Sequence, residues 1–125
     1  MQQPIAAVMI HVSDIDAGLA WYQRAFTTAK RLVITEPIRF EYLDINGIAI
    51  EIVEADNLVG SGTNGSVVYW QCENFEATLK HFQDNGASLY RGPIKIEDNQ
   101  KICQVRDPWG NCIGIRGKAA NLSTS

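Results

Sequence analysis

The chain has no long apolar run, no block of like charge and no paired-cysteine spacing, and each absence removes a class of function. A membrane span needs about 18 or more consecutive apolar residues. The apolar stretch near the start, "PIAAVMI", stops at His11. The same stretch has no basic n-region, so no signal peptide is expected and the expected location is the cytoplasm. The glycosylation sequons at Asn64 and Asn121 would matter only in a secreted protein. Eleven Lys and Arg against 14 Asp and Glu leave a net charge of −3. That balance gives no electrostatic reason to expect nucleic acid or an anionic membrane as a partner. The three cysteines, Cys72, Cys103 and Cys112, are odd in number and lie inside apolar, strand-like runs. They read as reduced, buried small hydrophobes rather than disulfide or zinc ligands.

What is present is a repeat. The 125 residues are enough for one domain, 1–125. Within it a shift of 60 lays "SDIDAGLAWYQ" (13–23) over "ENFEATLKHFQ" (73–83), placing Asp14 on Asn74, Leu19 on Leu79 and Tyr22 on Phe82. Both blocks predict a helix. Each has an Asp or Asn able to cap free N–H groups and an apolar stripe, Ile15, Leu19 and Tyr22 or Phe75, Leu79 and Phe82. Trp21 and His81 are repeat mates placed on the exposed side, so Trp21 reads as an interface candidate. Trp109 is another, against simple covering of its turn.

Each helix follows a short apolar strand, 6–12 or 66–72. Each precedes two weaker strand candidates, 29–35 and 38–45 or 87–92 and 101–107. A strong strand closes each block, "GIAIEIV" (47–53) over "GNCIGIR" (110–116). The expected fold class is therefore α+β: two tandem βαβββ modules, about 5–56 and 66–117, forming a curved mixed sheet with the helices on its convex face. The polar stretch 57–65 is the linker, and 118–125 a flexible tail.

This doubled unit, with "DPWGN" (107–111) at the turn before the last strand, resembles the vicinal oxygen chelate superfamily of glyoxalase I, bleomycin-resistance proteins and extradiol dioxygenases. The resemblance spans about Ile5 to Arg116. It implies a homodimer and, in the metal-dependent enzymes, a divalent ion held by inward His or Glu side chains on the first and last strand of each module. Carried onto this chain, those positions are Ala7, Glu51, Val67 and Gly114, of which Glu51 alone can ligate. One carboxylate cannot supply the three or four protein ligands a tight site needs, so the expectation is no metal and no cofactor. His11 shares Ala7's face but lies about 13 Å further along the strand.

Period-two alternation sends Val8, Ile10, Val12, Ile50, Ile52, Ile113 and Ile115 toward the helices. It leaves Met9, His11, Glu51, Tyr69, Gln71, Cys112 and Arg116 on the concave face, with Tyr42 and Phe40 joining from a strand of less certain phase. Apolar surface with a few polar groups suits a small organic ligand, and these residues are its candidate binding set. Glu51 would meet a cationic or hydrogen-bond-donating group, or else pair with Arg116. The leading expectation is a metal-free binding protein that sequesters a drug or metabolite, as the bleomycin-resistance branch does. One alternative is a glyoxalase-like lyase or isomerase with Glu51 as general base and His11 assisting. Another is a non-catalytic interaction protein whose cavity its own side chains fill.

Overall fold

The computed structural model describes residues 5–120. The chain divides into two compact units between Ser61 and Gly62. The first contains β1 (Ala7–Val12), α1 (Ile15–Ala25), β2 (Lys30–Ile34), β3 (Phe40–Ile45) and β4 (Ile48–Glu54). The second contains β5 (Val68–Cys72), α2 (Phe75–Asp84), β6 (Ser88–Ile96), β7 (Gln100–Arg106) and β8 (Cys112–Lys118). Each forms its own four-stranded mixed sheet, in the orders β1-β4-β3-β2 and β5-β8-β7-β6. The α+β reading and the doubled βαβββ order both hold.

In each unit the first and last strands pair in parallel and the remaining pairs are antiparallel. A parallel pair needs a long crossover, and the helix with the two strands after it supplies one. The helices begin where the caps dictate. Asp14 Oδ1 accepts the Ala17 N–H at 3.1 Å, and Asn74 Oδ1 accepts the Ala77 N–H at 3.0 Å. Both cap residues have extended backbone, so the first helical residues are Ile15 and Phe75, two beyond the start of each repeat block.

Each helix covers one face of its own sheet. In the first unit Val12, Leu19, Tyr22, Leu43, Ile50 and Ile52 are buried, and in the second Phe75, Phe82, Cys103, Val105, Ile113 and Ile115. Each such side chain contributes on the order of 1.5–3 kcal/mol of transfer free energy. The isoleucines of β4 and β8 thus face the helices, as their alternation predicts.

Two expectations about helix α1 need correction. Trp21 is not exposed: it is buried and packs edge-on against Tyr22, with ring centroids 4.9 Å apart. Ile15, expected in the buried stripe, is instead 41% exposed. The cause is Gly18. A Cβ there would lie 2.7 Å from Ile52 Cγ2 and 3.0 Å from Val12 Cγ2, so its absence lets the helix settle against β1 and β4 along that line. The buried stripe is centred on Gly18, Leu19, Trp21, Tyr22 and Ala25. His81 is half-buried, edge-on to Phe82, and Trp70 on β5 is also half-buried.

Strand β6 runs past the expected residue 92 to Ile96 by means of register shifts between Leu89 and Arg91 and between Arg91 and Ile94. Gly92 has φ +82, and a Cβ there would lie 2.9 Å from the Ile102 carbonyl oxygen, so the irregularity requires glycine. Pro93 is tolerated because β6 is an edge strand. Of the expected tail, Lys118 still belongs to β8. The Ala119 N–H donates to Asn99 O at 2.9 Å, and the Ala120 N–H donates to Glu76 Oε1 at 2.7 Å. Residues 121–125 lie outside the described residues.

Cys103 lies under α2 at 2% exposure, and desolvation pushes its thiol from an ordinary 9.0 up to about 11. A raised pKa in the folded state means that its contribution to stability is complete below pH 9 and is lost as pH rises toward 11. Urea unfolding at pH 8 and pH 10.5 should therefore show a loss that Cys103→Ala lacks, on the order of 1 kcal/mol per pH unit. Equal slopes in the two proteins would sink this account.

Candidate functional site

The face of each sheet opposite its helix carries the candidate residues. In the first unit the register pairs Met9 with Glu51 across β1 and β4, and Ala7 with Ala49 one step earlier. On β3 Leu43 pairs with Ile50, and the next residues along the two strands are Tyr42 and Glu51. Tyr42 in turn pairs with Leu32 on β2. Its ring stacks with Phe40, centroids 6.3 Å apart and planes 12° off parallel, and burial of the alternating Leu43 and Ile45 settles the phase of β3 by leaving both rings on the opposite face. Met9, Glu51, Tyr42 and Leu32 thus make a row of apolar and aromatic side chains with one carboxylate in it.

Glu51 is half-buried and, among the described residues, makes no hydrogen bond or ion pair. His11 stands two residues beyond Met9 on the same side and is half-buried. Its charge adds weakly to the forces that hold the Asp56 carboxyl below its usual range, chiefly hydrogen bonds from the Val59 and Leu58 N–H groups. His11 and Glu51 are two rungs of neighbouring strands apart, His11 being paired with Val53.

In the second unit the register builds a row across all four strands: Tyr69 pairs with Gly114, Gly114 with Gln104, and Gln104 with Arg91. The Tyr69 ring lies directly over Gly114, where a Cβ would come 2.5 Å from Tyr69 Cδ1 and 2.6 Å from Cγ. Gln104 Nε2 donates to the Tyr69 hydroxyl oxygen at 2.8 Å, and the Cys112 thiol donates to Gln104 Oε1 at 3.2 Å. Burial pushes the Cys112 thiol up, with the Arg106 and Arg91 charges opposing, so the thiol stays protonated and serves as a donor.

The next row sets Gln71 beside Arg116 and Arg116 beside Ile102. Arg116 is engaged within its own unit: Nε donates to Gln100 Oε1 at 2.9 Å, and its guanidinium lies 3.9 Å from Glu97. An open depression of about 360 Å³ lined by Gln71, Cys72, Glu73, Gln100 and Lys118 adjoins this pair.

The expected site residues therefore fall into two sets, Met9, His11, Tyr42 and Glu51 on one sheet and Tyr69, Gln71, Cys112 and Arg116 on the other. Sequence reasoning missed Gln104 and Arg91. Gln104 had a signal: in "KICQVR" it alternates with Cys103 and Val105, which are buried, so it had to face the other way. Arg91 had none, because an irregular register sets its place.

The donor set does not fit the divalent ion that the family resemblance implies. Ala7 and Val67 offer no ligand atom, and Gly114 is not merely empty-handed but covered by a tyrosine ring. Among the described residues no group of three or more His, Cys, Asp or Glu side chains is placed to hold a metal. No helix is long and apolar enough to cross a membrane.

Among curated protein sequences none matches significantly, but solved structures do. A fosfomycin resistance protein, FosX, from Listeria monocytogenes is 16% identical over 98% of both chains, with a TM-score of 0.72. A glyoxalase/bleomycin resistance protein/dioxygenase family enzyme from Burkholderia phytofirmans is 21% identical over 90% of this chain and 96% of that one, with a TM-score of 0.68. A virulence protein from Salmonella typhimurium is 16% identical over 94% of this chain and 98% of that one, at a TM-score of 0.67. At these identities the likeness speaks for the fold. The sequence profile of one family, however, matches residues 5–115, nearly the whole chain. The chain belongs to the Glyoxalase/Bleomycin resistance protein/Dioxygenase superfamily.

Proposed function

We propose that the protein is a metal-free member of this superfamily that binds a small, partly apolar organic molecule, and that it works as a homodimer in the cytoplasm. The observation that supports a binding role is Glu51. It is a half-buried carboxylate without a protein partner among the described residues, set between Met9 and the Tyr42–Phe40 ring pair. A carboxylate so placed loses hydration on one side and gains it back only from a donor brought by a ligand. A cationic or hydrogen-bond-donating group beside an apolar body fits this chemistry, and sequestration of a drug or metabolite is the biological role it suggests.

The alternative of a lyase or isomerase needs a second polar group converging with Glu51 on one substrate atom. Met9 and Tyr42 flank Glu51 on the two neighbouring strands, whereas His11 is a full two-residue step beyond Met9. That spacing favours binding over acid–base work.

The experiment is a thermal-shift and calorimetric screen against cationic aromatic drugs, aldehyde–thiol adducts and divalent metals. An organic ligand should raise the melting temperature through linkage. Glu51→Ala should weaken a cationic ligand roughly 10-fold or more, the scale of one charge-assisted hydrogen bond. Stabilisation by Zn²⁺, Ni²⁺ or Mn²⁺ that vanishes in Glu51→Ala would overturn the metal-free reading. Turnover of an adduct that Glu51→Ala abolishes would establish the enzyme instead.

A further inference from the structure

The second sheet carries a directed hydrogen-bond chain from Cys112 through Gln104 to Tyr69. The Cys112 thiol, kept protonated by burial, donates to the amide oxygen of Gln104 at 3.2 Å. The amide nitrogen of Gln104 is then turned to Tyr69 and donates to the hydroxyl oxygen at 2.8 Å. That oxygen accepts inward, which leaves its own proton to point away from Gln104. Successive hydrogen bonds polarise one another, so the outward hydroxyl is a better donor than an isolated phenol.

The surroundings indicate what it would meet. One face of the Tyr69 ring rests on Gly114, and the residue is 40% exposed, so the other face is available for stacking. Three cations flank this chain: Arg91 is the cross-strand partner of Gln104, Arg106 is that of Cys112, and Arg116 is two residues beyond Gly114 on the same side, with the Asp107 carboxylate opposing the first two at Cys112. Of these, Arg116 has the Glu97 carboxylate at 3.9 Å, and the Arg106 guanidinium lies over the Tyr90 ring, 5.6 Å from its centroid.

We propose that the Tyr69 hydroxyl, oriented by Gln104 and Cys112, is a fixed donor that receives an oxygen acceptor of a planar aromatic anion stacked on its ring. This rests on the reading of the protein as a small-molecule binder, and it gives the second sheet the opposite charge preference from Glu51. Tyr69 is the contacting residue, and Gln104 is a positioning residue that acts through it.

The test uses three soluble probes of one shape: indole-3-acetate, tryptamine and indole. Amide chemical-shift mapping locates binding, and calorimetry measures it. Indole-3-acetate should shift Tyr69, Gln104 and Gly114 and bind roughly 10-fold more tightly than tryptamine at this site. Tyr69→Phe keeps the ring and should lower indole-3-acetate affinity roughly 5- to 10-fold. Gln104→Met should do the same while leaving indole, which brings no acceptor, unchanged. A Gln104 that merely supported the fold would weaken all three probes together. Preference for tryptamine here, indifference to both substitutions, or no shift at these residues at millimolar indole-3-acetate would overturn the proposal. If probes shift only the sheet carrying Glu51, small-molecule binding survives and this donor site does not. If no probe in either screen binds, both readings fail.

Discussion

Tyr22→Ala is expected to destabilise the protein by about 3–5 kcal/mol, the range for removing a large aromatic side chain from a core. Tyr22 is 1% exposed, and its ring is shared between two neighbours: stacked on Phe26 at 5.9 Å and 7°, and edge-on to Trp21 at 4.9 Å and 74°. Truncation removes both ring contacts and leaves a void between α1 and its sheet that Gly18, already close against Ile52, cannot fill. Against a typical total of about 5–15 kcal/mol, that loss removes a fifth of the stability or more, and nearly all of it at the low end of the range. Tyr22→Phe keeps the rings and should cost about 1 kcal/mol. Urea unfolding followed by far-UV circular dichroism measures both. A cost for Tyr22→Ala under 1.5 kcal/mol, about half the low end of that range, would mean the core collapses around the gap.

Asp107→Ala is expected to cost about 3–5 kcal/mol, through polar groups left unsatisfied rather than through a cavity. Asp107 is 5% exposed, and its carboxylate holds the turn into β8 together. Oδ1 accepts the Trp109 and Asn111 N–H groups, both at 2.8 Å, and Oδ2 accepts the Asn111 side-chain amide at 3.0 Å. Asn111 Oδ1, oriented by that contact, accepts the Gly62 N–H at 3.0 Å. Alanine would strip three donors of their partner and release the amide that steadies the linker end. Asp107→Asn retains an acceptor for the two backbone N–H groups but turns an amide toward Asn111, and should cost about half as much. Chemical denaturation gives the magnitudes, and the Gly62 amide resonance should move in both variants. An unmoved Gly62 signal would break the link between turn and linker.

The doubled fold was legible because each repeat block carries its own punctuation. Asp14 and Asn74 sit where a cap is needed, and Ile50, Ile52, Ile113 and Ile115 alternate with the pleat. The family's profile match reinforces what those blocks imply. The rotation of α1 was not legible. Gly18 has no side chain to enter a pattern of apolar spacing, yet it decides which flank of the helix goes down and so buries Trp21 rather than Ile15. The candidate residues of β1, β4, β5 and β8 could be sorted by parity. Which residues of β3, β6 and β7 stand opposite them could not, because antiparallel register depends on turn geometry and on irregularities such as the one at Gly92. The Gln104 link to Tyr69 is therefore a tertiary fact, and it changes what Gly114 means.

Gly114 sits beneath the Tyr69 ring, and this imposes an order on any attempt to build a ligand side chain at that position. A carboxylate or imidazole introduced at position 114 would first meet an aromatic ring anchored at its far end by Gln104. The tyrosine would have to be surrendered before a ligand could be gained, and the intermediate would have neither. A ligand at position 114 thus takes two coordinated substitutions, and the first of them, removal of the tyrosine, supplies no ligand atom of its own.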